Sequence, residues 1–88
     1  MNTEQKEYVW FSDSGHAWLE VEINELEKLG IADKISGYSY IKGELAYLEE
    51  DCDAPLFIDR LTCFPTAEIY YENSPVRSYQ PYFYNKNK

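Results

Sequence analysis

Ser14 lies between Asp13 and His16, so one short stretch, Ser12-Asp13-Ser14-Gly15-His16, holds the three residue types of a hydrolytic triad. A working triad needs the imidazole between nucleophile and acid, each on its own ring nitrogen. Three neighbours in one turn are poorly placed for that, and no G-x-S-x-G elbow is present. The same residues make good turn chemistry, with Asp13 able to accept from the backbone ahead of it and Gly15 free to take positive φ. The bend is the economical reading. A small-molecule or nucleotide site, or a small hydrolase, requires more. Arg77 would have to return to Ser14 and His16, and the Asp51/Asp53 pair would have to converge with them.

A second concentration of chemistry is Glu49-Glu50-Asp51-Cys52-Asp53, with four carboxylates in five residues. A calcium loop of the EF-hand type needs a longer span with a glycine and a distal glutamate. Carboxylates ahead of a helix are favoured by its dipole in any case, and Asp53 is a good N-cap with Pro55 in the first turn. The remaining role is an acidic docking spot. His16 with Cys52, Cys63, Asp51 or Asp53 lacks the paired spacing of a zinc set, so neither metal nor cofactor is expected. Cys52 and Cys63 fall at opposite ends of an expected helix, too far apart for a disulfide, which suits a reducing compartment. Arg77, in Ser74-Pro75-Val76-Arg77-Ser78-Tyr79, can grip an anion or pair with an acid such as Asp13 or Asp51.

The elements that must position these groups follow from periodicity. Residues 6–13 alternate as a strand, with Val9 and Phe11 on one face and Tyr8 and Trp10 on the other. After the turn, Ala17, Leu19 and Val21 alternate with His16, Trp18 and Glu20, completing a β-hairpin. Glu22 to Leu29 reads as a helix with Ile23, Leu26 and Leu29 on one side, ended by Gly30. A second hairpin turns at Lys42-Gly43. It sets Ser39, Ile41, Ala46 and Leu48 against Tyr38, Tyr40, Leu45 and Tyr47. A second helix carries Ala54, Phe57, Ile58, Leu61 and Phe64 on its buried stripe and stops at Pro65. Residues 67–72 form a fifth strand with Ile69 inward. The order ββαββαβ predicts one α+β domain over 1–88, with an ordered core about 5–72. Its mostly antiparallel sheet has both helices on one face, and 73–88 pack on the sheet or fray.

Composition bounds the rest. The chain has 88 residues, 44% of them hydrophobic and 17% aromatic, too apolar for a disordered chain. Its N-terminus does not read as a signal peptide and no run is long enough to cross a bilayer, so a cytoplasmic protein is expected. Sixteen acids against eight bases give a net charge of −8. That field repels nucleic acid and anionic lipid and attracts basic partners. With the helices on the aliphatic side, alternation assigns Tyr8, Trp10, His16, Trp18, Tyr38, Tyr40 and Tyr47 to the opposite face. Monomers seldom leave so broad an aromatic patch bare. The tail, a second copy or a partner must cover it.

Four phrases add a resemblance. "SDSGHAWLEV", "LGIADKISGYSY", "AYLEEDCD" and "SPVRSY", in this order from Tyr8 to Tyr79, resemble a family of short bacterial and phage proteins of mobile elements. The segment "LTCFPTAEIYYEN" lies outside that pattern. The resemblance implies a phage-encoded protein in a bacterial host cell and no particular activity. Together with the composition, it yields an expectation of a small non-catalytic binding protein that acts on a host protein, as an inhibitor or anti-defence factor. Its contact residues would be Trp10, His16, Trp18, Tyr38, Tyr40, Tyr47 and Arg77, with Glu49, Glu50, Asp51 and Asp53 as an acidic patch that imitates DNA phosphates or steers encounter. The alternatives are the ligand site or hydrolase on Ser14, His16, Arg77 and Asp51/Asp53, and a homodimeric structural module.

Overall fold

The computed structural model describes residues 7–61 and 66–84. Six strands form one sheet in the order β5-β1-β2-β4-β3-β6. They are β1 (Tyr8–Ser12), β2 (Ala17–Glu22), β3 (Tyr40–Lys42), β4 (Leu45–Glu49), β5 (Thr66–Tyr70) and β6 (Gln80–Pro81). All neighbours pair antiparallel except β1 and β5. Helices α1 (Ile23–Lys28) and α2 (Ala54–Ile58) complete an α+β domain, together with 3₁₀ turns at Ala32–Lys34 and Pro75–Ser78.

Local chemistry explains the ends of these elements. At the start of α1, Glu22 and Glu25 form a reciprocal capping box, which satisfies two otherwise orphaned backbone donors. Gly30 at φ +75° ends the helix, a conformation costly for any residue with a Cβ. The β3–β4 hairpin has Lys42 opposite Leu45, so its two-residue loop is Gly43-Glu44, one position later than the sequence suggested. Gly43 at φ +62° supplies the positive φ that such tight loops need. α2 is shorter than expected and ends at Ile58. Leu61 still packs on the core beyond it, whereas Phe64, Pro65 and Cys63 lie outside the described residues.

Both helices pack on one face, and the core there is mainly aliphatic. Leu19, Val21, Leu26, Ile31, Ala46, Leu48, Ala54 and Phe57 are buried with Tyr8, and Trp10 packs against them. The faces of β1 are the reverse of those expected from the sequence. Tyr8 and Trp10 lie under the helices, with the Tyr8 ring edge-on to Phe57 at 5.4 Å, while Phe11 lies on the reverse face with Trp18 and Tyr47. Alternation was right within β1, but the face was set by register. Four residues, Asp13 to His16, link Ser12 to its partner Ala17, and that places Trp10 opposite Leu19 and Phe11 opposite Trp18. A shift of one residue would reverse every side chain.

The last described segment crosses both faces. Ser74 to Tyr79 covers the reverse face, and β6 then extends the sheet beside β3. Tyr82 turns back into the helix-side core, where its hydroxyl donates to the Ala32 carbonyl at 2.6 Å. Burial pushes its pKa up to about 12. At the other edge β5 is exposed along its whole length. Ile69, expected to point inward, is 44% exposed and Tyr70 is 63% exposed.

Candidate functional site

Asp13 organises the turn between β1 and β2. Its Oδ1 accepts from the backbone N–H of Gly15 at 3.0 Å and of His16 at 3.1 Å. Its Oδ2 accepts from the Ser74 N–H at 2.9 Å. The Arg77 guanidinium completes the set as a two-point clasp, Nε to Oδ2 at 2.7 Å and Nη2 to Oδ1 at 2.9 Å. Arg77, followed by the backbone donors of Ser74, Gly15 and His16, holds the Asp13 carboxyl well below the usual carboxylate range. The expected pairing of Arg77 with Asp13 is thus what forms. Gly15, in contrast, does not have positive φ. Its value is space, because a Cβ there would lie 2.9 Å from Arg77 Nη2.

The clasp fixes a cover over the aromatic face. Val76 is buried against Trp18 and Tyr47, with Phe11, Tyr40, Leu45 and Tyr79 around them. The Arg77 guanidinium lies over the Trp18 ring at 5.1 Å, and Tyr79 meets Tyr47 at 5.0 Å between ring centroids. Such contacts add specific attraction to simple burial. Trp18 and Tyr47 are therefore buried and offer no contact surface. Trp10 is on the other face, and Tyr40 is half-buried beneath the cover. Of the expected rings, Tyr38 stands out, 72% exposed in the approach to β3, and so does the exposed His16 imidazole. The indole N–H of Trp18 is buried without a hydrogen-bond partner among the described residues.

The carboxylates divide in an equally decisive way. Asp53 occupies the N-cap position of α2 but makes no side-chain cap bond. Its buried carboxylate instead accepts from the Ser36 N–H at 3.0 Å, the Ser36 hydroxyl at 2.7 Å and the Ser39 hydroxyl. Ser39 was the clue available in the sequence, since a hydroxyl on a buried face demands a partner. Glu49 is also buried. Its Oε1 accepts from the N–H groups of Asp51 and Cys52 at 2.8 and 2.9 Å, and its Oε2 lies 3.2 Å from His16 Nδ1. Burial pushes its pKa up, but the Asp51 and Cys52 backbone donors, the Cys52 thiol and His16 outweigh it and hold the carboxyl below its ordinary value. Glu49 and Asp53 thus leave the expected acidic patch. Asp51 is exposed and Glu50 half-buried, with burial and then Asp51 and Glu49 raising the Glu50 pKa.

Family models, curated proteins and solved structures were all compared with the chain. None matches it.

The residues of the hydrolase alternative are only partly assembled. His16 and Arg77 both flank Trp18, the His16 ring at 5.7 Å. Ser14 is exposed on the turn, and no hydrogen bond joins it to His16 among the described residues. Asp53 is committed to Ser36 and Ser39, and Asp51 is not joined to the Asp13–Arg77 clasp. What the site assembles is a structural clasp with a half-exposed imidazole at its rim. No described helix is long and apolar enough to cross a membrane.

Proposed function

We propose that this protein is a non-catalytic binding module that captures an extended, cationic segment of another protein along the free edge of β5. The observation that carries this reading is β5 itself. It pairs with β1 on one side, no described residue pairs with it on the other, and all five of its residues are exposed. An unpaired edge offers a row of backbone donors and acceptors to an incoming strand. Natural edges are blunted by lysine, proline or a bulge, yet Thr66-Ala67-Glu68-Ile69-Tyr70 has neither residue type. Its single charge, Glu68, accepts a hydrogen bond from the Ser12 hydroxyl. Ile69 and Tyr70 project on opposite faces of the strand, so an added strand would meet an apolar side chain on each.

Charge selects the partner. Two copies carrying −8 each would repel, whereas a basic segment is attracted and steered. The mobile-element resemblance makes that partner a host protein. A labelled peptide alternating valine and lysine, titrated with the protein, tests the idea. Binding should weaken with salt and be lost in Ile69→Lys/Tyr70→Lys, which installs the gatekeepers that the edge lacks. Failure to bind at low salt, indifference to those substitutions, or a stable dimer in ultracentrifugation would each overturn the reading.

A further inference from the structure

We infer that His16, Glu49 and Glu50 form an open site for a divalent transition-metal ion of the zinc class. One ligand atom from each of the three lies within 4.8 Å of the others. The three sit at the adjoining ends of two neighbouring strands, His16 just before β2, Glu49 closing β4 and Glu50 just after it. Trp18 pairs with Glu49 across β2 and β4, and the Glu50 N–H donates to the Ala17 carbonyl at 3.1 Å. The His16 main chain is held at both ends of its peptide, its N–H by the Asp13 carboxylate and its carbonyl by the Asp13 N–H at 2.9 Å.

The Glu49 carboxylate is already aimed. With Oε1 occupied by two backbone N–H groups, Oε2 is left directed at the imidazole. Its 3.2 Å separation from His16 Nδ1 is close to the roughly 3.3 Å between two nitrogen or oxygen ligands sharing a tetrahedral zinc. Glu50 supplies a third donor, with a carboxylate oxygen within 4.8 Å of the other two ligand atoms. An imidazole with two carboxylates favours zinc, manganese or cobalt over the all-oxygen preference of calcium and magnesium. His16 is exposed, so water completes the coordination. Arg77 is spent on Asp13, and among the described residues no lysine or arginine forms an ion pair with Glu49 or Glu50. This inference is independent of the β5 reading.

The experiment exploits the fact that His16 is the protein's single histidine. The full chain carrying Cys52→Ser and Cys63→Ser, which removes thiol ligands, is titrated with zinc chloride near neutral pH. Calorimetry and the imidazole NMR signals are followed together. One equivalent should bind saturably and shift the His16 signals, with magnesium and calcium producing no shift. His16→Ala should abolish that binding, and Glu50→Gln, which leaves the structural Glu49 untouched, should weaken it at least about tenfold. Absence of saturation up to millimolar zinc would overturn the site, as would binding that His16→Ala or Glu50→Gln leaves within about twofold of the parent.

Discussion

The two sides of this sheet are buried by different means. On the helix side, α1 and α2 bring a continuous set of apolar side chains over Leu19, Val21, Ala46 and Leu48. No single directional contact is needed there, because burial is proportional to area and indifferent to geometry. On the reverse side the cover is one 3₁₀ turn of four residues, and Val76 is its only fully buried apolar anchor. So small a lid gains little from area, and its position depends on the bonds from Ser74 and Arg77 to Asp13. A hydrophobic layer can be general, but a short lid has to be pinned.

The largest expected effect lies on the helix side. Phe57 is fully buried and touches Tyr8 from above. Phe57→Ala should cost about 3–5 kcal/mol, and denaturant unfolding should show one transition moved to much lower midpoint. If Phe57→Ala proved milder than any change in the clasp, the contrast between the two sides would fail.

Breaking the clasp should act more locally. Asp13→Asn keeps the size of the side chain and removes the charge that holds Arg77. Trp18 fluorescence should shift to the red as the cover loosens, with Tm lower by several degrees and far-ultraviolet dichroism nearly unchanged. The pH dependence carries a sign. Asp13 has a folded pKa far below its unfolded value of about 3.9, so its contribution is complete above that value and is lost as pH falls below it. The parent should lose stability steeply under acid, and Asp13→Asn should lose less, so that the two curves converge at low pH. Parallel acid curves would show that the clasp is not what holds the lid.

How much of this was legible in the sequence depends on whether the deciding interaction was local. Alternation in β2, β3 and β4, the stop at Gly30 and the helix-side stripes were all readable, because neighbouring residues set them. The faces of β1 were not, since two faces are visible in an alternating string while the choice between them is fixed by pairing with β2. The clasp joins positions 64 residues apart, and only opposite charge hinted at it. Glu49 and Asp51 look alike in the sequence. Burial at the end of β4 makes the first a structural carboxylate, and exposure leaves the second free. The need for a cover over the aromatic face was legible, with the tail as one of the candidates, while the residue types left Arg77 a choice between binding an anion and pairing with an acid. It does the second.

The smallest and most discriminating effect is expected at Gly15. Alanine there would reduce the freedom of the unfolded chain, a gain of about 0.4–1 kcal/mol wherever the folded site accepts it. The backbone accepts it, since φ is not positive. The obstacle is Arg77 Nη2 at 2.9 Å from the new Cβ, closer than side-chain carbons approach a nitrogen without movement. A free arginine would swing away easily. This one is held at two points by Asp13, so accommodating the methyl means weakening the Nη2–Oδ1 bond. Gly15→Ala should therefore lower Tm slightly in the parent and raise it slightly once Arg77→Ala has emptied the space. Such a reversal of sign in the double-mutant cycle would locate the cost of the methyl in the clasp. A loss of equal size in both backgrounds would place it in the turn.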